Sequence, residues 1–96
     1  MDKDKSSQLL MMLVQSFQMQ SYMQLGKLKN PVSDKIERDL DAAQVSIDIL
    51  DMLKEKTKNN LDDNESKILE QIISDLKLNY VEESNKPAEK KEETKT

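Results

Sequence analysis

The 96-residue chain contains no cysteine and no histidine. Without cysteine it has no disulfide framework, no thiolate nucleophile and no zinc site of the usual kind. Without histidine it has no Ser-His or Cys-His relay and no side chain that ordinarily titrates near neutral pH. The single glycine, Gly26, cannot build a phosphate-binding loop, which needs several. We therefore expect a protein that is not an enzyme and that holds no cofactor and no metal.

Long apolar runs and an excess of positive charge are also lacking. The longest apolar run, residues 9–14, is too short for a signal-peptide core or for a membrane-spanning helix. The formal net charge of −4 argues against a general nucleic-acid binder, which carries a basic excess. These features predict a cytoplasmic protein without a membrane span.

What the chain does contain is apolar residues at helical spacing, with almost no alternating polar and apolar runs. The pattern predicts an all-α fold with three helices, over residues 6–28, 34–58 and 62–82, in a single domain over 6–82. Pro31 interrupts the connection between the first two helices. Residues 83–96 are charged and almost without apolar side chains, which predicts a disordered tail.

The clearest local signal is a helix end followed at once by a helix start. Lysines near the end of the second helix meet the negative end of its dipole, and Asn59 or Asn60 can take the left-handed conformation that ends a helix. Asp62 and Glu65 have the spacing of a capping box. The second and third helices should therefore form a tight antiparallel hairpin. The motif comprises Lys56, Thr57, Lys58, Asn59, Asn60, Leu61, Asp62 and Glu65.

The first helix is rich in methionine and has no charged residue between Ser6 and Gly26, although 35% of the chain is charged. Met12, Met19 and Met23 lie opposite its main apolar face, and the second helix has a second apolar stripe. Because about 75 ordered residues bury too little surface to be comfortably stable alone, we expect a homo-oligomeric bundle or a protein partner. The alternative is that the protein's own helices or tail cover the methionines. The predicted interface comprises Met12, Met19, Met23, Ile49 and Met52.

Two charged features have alternative interpretations. An acidic ridge on the second helix, formed by Asp41, Asp48, Asp51 and Glu55, has carboxylates that suit Mg²⁺ or Ca²⁺, but no calcium-loop pattern accompanies it. A solvated face, or a contact for a basic partner, is the preferred interpretation. Lys54, Lys56 and Lys58 are positioned to bind phosphate or RNA, although three aromatics offer little base stacking and the helix end also explains these lysines.

The run Ile-Asp-Ile-Leu-Asp-Met-Leu-Lys-Glu-Lys-Thr-Lys-Asn-Asn-Leu at residues 47–61 is distinctive. It resembles the signature of the family of small bacterial proteins called domain of unknown function 1844. The similarity extends over about residues 9–82 and is strongest over 40–81, and Asn59 stands where the family pattern usually has glycine. The resemblance implies a small helical bacterial protein with no assigned activity. Our leading hypothesis is a non-enzymatic interaction or scaffold protein, and the alternative is an RNA- or nucleoprotein-associated factor that uses the three lysines.

Overall fold

The structure is a computed structural model that describes residues 1–86. It contains three helices, α1 (Lys3–Gln24), α2 (Leu40–Lys56) and α3 (Asp63–Ser84), and a small hairpin of strands β1 (Lys29–Asn30) and β2 (Lys35–Ile36) between α1 and α2. The prediction of a mostly helical protein is confirmed. Residues 87–96, most of the predicted tail, lie outside the described residues.

Helix α1 ends at Gln24, four residues before the predicted end, because Gly26 terminates it. Gly26 has a φ of +85°, a conformation that favours glycine. The Gly26 N–H donates to the Met23 carbonyl at 3.1 Å, and the Lys27 N–H donates to the Tyr22 carbonyl at 2.8 Å. This pair of hydrogen bonds is a Schellman motif, which satisfies the last carbonyls of the helix.

The β-hairpin occupies the region where the second helix was predicted to begin. Its strands pair in antiparallel register, Lys29 with Ile36 and Asn30 with Lys35. Asp34 adopts a φ of +61°, and its N–H donates to the Asn30 carbonyl at 2.7 Å, which closes the four-residue turn. The prediction that the second helix starts at residue 34 is therefore wrong. The left-handed backbone at Asp34 breaks the helix, and strands of two residues are too short to give a periodic signal.

Both later helices begin at an aspartate cap. Asp39 accepts a hydrogen bond from the Ala42 N–H at 3.1 Å at the start of α2. Asn59 takes the left-handed conformation after α2, with a φ of +74°. Asp62 accepts from the Glu65 N–H at 2.7 Å, and the Glu65 carboxylate accepts from the Asp62 N–H at 3.0 Å, which completes a capping box. The chain thus reverses between α2 and α3 within a few residues.

Helix α2 packs against both α1 and α3. The hydroxyl of Ser46 on α2 accepts a hydrogen bond from Gln20 at 2.9 Å and donates one to Gln24 at 2.7 Å, so a buried polar contact joins α2 to the end of α1. The described residues measure 51 × 27 × 16 Å, which is thin in one dimension. The buried apolar core is correspondingly small and comprises Val14, Leu25, Ala43, Ile47, Leu50, Leu69, Ile73 and Leu76.

Candidate interaction surface

The outer side of α1 is apolar and, within residues 1–86, largely exposed. Met12 is 64% exposed, Met19 is 56% exposed and Leu9 is 43% exposed, while Met23 is half-buried. Within residues 1–86, the other helices and the hairpin therefore leave most of the predicted methionine face free. The structure brings Leu9 into this face, although sequence reasoning did not include it.

Four exposed residues and the half-buried Met23 form one continuous line along α1. Leu9, Met12, Ser16, Met19 and Met23 follow one another at intervals of three, four, three and four residues, the spacing of a helix-pairing face. We call these five residues the α1 seam. The hydroxyl of Ser16 donates to the Leu13 carbonyl at 2.9 Å, so its hydrogen-bond donor is already used within the helix. A small side chain at the centre of the seam allows a second helix to approach closely.

Contacts on both flanks of α1 set the direction in which the seam points. On one flank, Gln20 and Gln24 bind Ser46 of α2. On the other flank, the Tyr22 hydroxyl donates to the Asp75 carboxylate of α3, and this hydrogen bond, together with burial and the negative charge, raises the pKa of Tyr22. Because both flanks are attached, α1 cannot rotate to bury the seam without losing these contacts.

Helix α2 adds a second exposed apolar stripe beside α1, formed by Val45, Ile49 and Met52. Val45 and Met52 are exposed, whereas Ile49 is half-buried. Ile49 lies one turn beyond Ser46, which contacts α1, so the stripe borders the α1 contact. Ile49 and Met52, the α2 residues of the predicted interface, therefore share one surface with Val45.

The predicted acidic ridge divides into two parts. Asp51 faces α3, where its carboxylate accepts from the Lys77 ammonium at 2.8 Å. Asp41, Asp48 and Glu55 follow one another at seven-residue spacing on α2 and form no salt bridge with any residue of the range 1–86. Asp48 accepts a hydrogen bond from the Gln44 amide at 2.9 Å. In this same range, no three carboxylates come together in a way that suits a metal ion.

The lysines at the end of α2 lie in an acidic environment. Lys54 and Lys58 line an open groove of about 810 Å³ between α2 and α3. The same groove is lined by five carboxylates, those of Asp48, Asp51, Glu55, Asp63 and Glu70. An incoming phosphate would meet more negative than positive charge there, which opposes its binding.

Glu83, which the sequence placed in a disordered tail, is instead a buried residue of α3, only 4% exposed. Its carboxylate lies 3.0 Å from the Lys27 ammonium, 3.1 Å from Arg38 Nε and 2.6 Å from the Lys86 ammonium. Burial alone raises the pKa of Glu83, but the hydrogen bonds and charges of Lys86 and Lys27 lower it from 4.5 to about 2. Neutralisation by these cations explains how a glutamate is buried here.

This charged cluster was not predictable from local sequence. Its members come from the residues that follow α1, from the residue before the cap of α2 and from the end of α3, so they are far apart in the chain. Arg38 also packs beneath Gly26, where an added Cβ would lie 3.3 Å from Arg38 Cδ. The cluster therefore holds three parts of the fold together. Its three cations, Lys27, Arg38 and Lys86, all pair with Glu83.

Comparison with known proteins identifies a family. Residues 7–82 match the model of the family described as Domain of unknown function (DUF1844), which confirms the resemblance noted in the sequence. No curated protein and no solved structure matches the chain. Among the described residues, no helix combines the length and the apolar character that crossing a membrane requires.

Proposed function

The chain belongs to the DUF1844 family, whose description names no activity, and we propose that it is a non-enzymatic interaction protein that self-associates through the α1 seam. The observation that carries the proposal is the exposure of Leu9, Met12 and Met19 on a helix without charge from Ser6 to Gly26. The proposal includes a bacterial cytoplasmic location, with which the lack of cysteine is compatible.

The charge distribution favours a second copy of the chain as the occupant of the seam. Each copy carries a formal net charge of −4, so two copies repel one another over most of their surfaces. The outer side of α1 between Ser6 and Gly26 is the place where no like charges would meet. Its polar residues include five glutamines, whose amides both donate and accept hydrogen bonds and thus complement a copy of themselves.

Burial supplies the free energy for this association. Covering a fully exposed Met or Leu side chain is worth about 1.5–3 kcal/mol, and the partial exposure seen here scales that gain down. In a symmetric pair every seam residue contributes twice, once from each copy. The exposed α2 stripe of Val45, Ile49 and Met52 extends the apolar area beside the seam. Asp41 and Glu55, which form no salt bridge within residues 1–86, lie at its border, where their carboxylates discourage other modes of docking.

The alternative of an RNA-associated factor rests on Lys54, Lys56 and Lys58. Five carboxylates line the groove that contains Lys54 and Lys58. That environment weakens the attraction for a polyanion, so we rank this function below self-association.

The test is the solution mass of the full chain over a range of concentrations, by sedimentation equilibrium or by size exclusion with light scattering. We expect a concentration-dependent oligomer. The variant Met19→Lys should weaken association at least about tenfold, because a buried ammonium lacks a partner on the seam. Circular dichroism should show unchanged helicity.

The matched control is Leu78→Lys. Leu78 is 60% exposed, close to the value for Met19, but lies on α3 away from the seam. It adds the same charge and should leave the mass unchanged. A monomer at all concentrations, or equal effects of the two variants, would contradict self-association through the α1 seam.

A further inference from the structure

All the sulfur of this chain is in methionine, since it has six methionines and no cysteine. Met12 and Met19 are exposed at the two sides of Ser16 on the α1 seam. In a separate copy their thioethers are open to small reagents in solution. No thiol in the same chain competes for an oxidant, so these thioethers are available to react.

We propose that Met12 and Met19 form an oxidation site, at which a peroxide-class oxidant converts the thioethers to sulfoxides and so separates the associated copies. This inference rests on the proposed self-association and adds a means of regulating it. The modification places a polar group on a surface whose role is to be buried against another copy.

The chemistry balances with hydrogen peroxide as the oxidant. A lone pair of the methionine sulfur attacks one peroxide oxygen, the O–O bond breaks and a new sulfur–oxygen bond forms. The departing hydroxide takes up the proton that the transferred oxygen releases and leaves as water. Sulfur is oxidised by two electrons and the peroxide is reduced by two. Methionine sulfoxide reductases reverse the modification.

The surroundings of the seam explain why a sulfoxide there would strongly weaken the association of two copies. The sulfoxide oxygen is a good hydrogen-bond acceptor, and burying it without a donor costs free energy. From Ser6 to Gly26, α1 has no cationic side chain to donate to it, and the glutamine amides of this stretch lie outside the five seam residues. The central hydroxyl, that of Ser16, already donates to the Leu13 carbonyl. In a symmetric pair each modified position is present twice, which doubles the effect.

Association should in turn protect the site. The seam is accessible in the separate copy and covered in the pair, so the oxidant reacts with the dissociated form. The rate of sulfoxide formation at Met12 and Met19 should therefore fall as the protein concentration rises. Met1, an exposed residue outside the seam, serves as the internal reference because its rate should not change.

The experiment treats the full chain with hydrogen peroxide at several protein concentrations. Peptide mass spectrometry locates each added oxygen atom, and sedimentation equilibrium gives the association constant. We expect oxidation at Met12 and Met19 to weaken association by about tenfold or more, and treatment with a methionine sulfoxide reductase to restore it. Unchanged association of protein that carries both sulfoxides would overturn the inference.

Two variants test whether oxidation of the seam methionines causes the dissociation in peroxide. The double variant Met12→Leu with Met19→Leu removes both thioethers and keeps similar apolar volume. Its association constant, measured first without oxidant, should fall in peroxide by far less than that of the wild-type chain. The control Met11→Leu changes a neighbouring methionine that packs against the core and should remain sensitive. Dissociation of the double variant in peroxide would show that other residues are responsible. If the untreated chain never associates, the proposed function itself fails, and sedimentation alone reveals this before any oxidant is added.

Discussion

The Arg38 side chain donates hydrogen bonds to both the side chain and the main chain of Glu83. Arg38 Nε donates to the Glu83 carboxylate at 3.1 Å, and the terminal guanidinium nitrogen donates to the Glu83 carbonyl at 2.7 Å. The two residues are 45 positions apart in the chain. This contact attaches the segment before α2 to the last turn of α3. The sequence around Glu83, which resembles a disordered tail, therefore has a defined position in the fold.

Replacement of this carboxylate should reduce stability. In Glu83→Gln, the positive charges of Lys27, Arg38 and Lys86 lose their common partner. Because these cations are partly exposed, we expect a loss of about 1–3 kcal/mol, below the cost of breaking a fully buried pair. Urea denaturation measures the loss. The neighbouring exposed residue offers a matched control, and Glu82→Gln should change the free energy of unfolding by less than about 0.5 kcal/mol.

The lowered pKa of Glu83 predicts a specific acid sensitivity. Its pKa is about 2 in the folded protein, against 4.5 for the unperturbed group. The unfolded chain therefore takes up the proton first as the pH falls. The contribution of Glu83 is complete above about pH 4.5 and is lost as the pH falls towards about 2. The difference corresponds to at most about 3 kcal/mol.

Urea denaturation of wild type and Glu83→Gln over this pH range isolates the contribution of Glu83. The difference in free energy of unfolding between the two proteins should shrink as the pH falls. A constant difference across the range would mean that the carboxylate is not held in its charged form by the cluster.

Two residues with left-handed backbone should respond in opposite directions to substitution. Gly26→Ala introduces a Cβ at a φ of +85° and within 3.3 Å of Arg38 Cδ, so we expect a loss of about 1–2 kcal/mol. Asn59→Gly relieves the side-chain cost at a φ of +74° and should be neutral or stabilising by up to about 1 kcal/mol. Thermal unfolding followed by circular dichroism measures both. A stabilised Gly26→Ala variant would contradict the role given to the Schellman motif.

The lysines at the end of α2 provide a test of the alternative function. We expect no retention of the wild-type chain on single-stranded RNA at low salt, since carboxylates surround Lys54 and Lys58. A filter-binding assay across salt concentrations measures retention. Salt-sensitive retention that disappears when Lys54, Lys56 and Lys58 are all replaced by Gln would favour the RNA-associated factor instead.

Structural features that depend on residues close together in the chain could be predicted from the sequence. The helix stop at Asn59 and the cap formed by Asp62 and Glu65 depend on backbone conformation and hydrogen bonds within a few positions. The face that contains Met12 and Met19 was readable for a similar reason, because helical spacing places these methionines on one side of the helix. The exposure of that side was not readable.

The early end of α1, by contrast, was missed although the signal was present. Gly26 follows an apolar run that continues to Leu28, and the apolar pattern concealed the glycine stop. The β-hairpin gave almost no signal, because each of its strands has only two residues. The left-handed backbone at Asp34 is seen only in the structure. In both places a single left-handed residue outweighed the surrounding periodicity.

The helical character, the α2–α3 turn and the absence of charge between Ser6 and Gly26 follow from local propensity and composition, so the chain alone reveals them. The choice of which side of α1 is buried, and the place of Glu83 in the folded domain, depend on how the segments pack together. Burial of Glu83 depends on Lys27 and Arg38, which are distant in the chain, and the exposure of the seam depends on contacts with Ser46 and Asp75. Such relationships arise from packing between segments, and no local pattern encodes them.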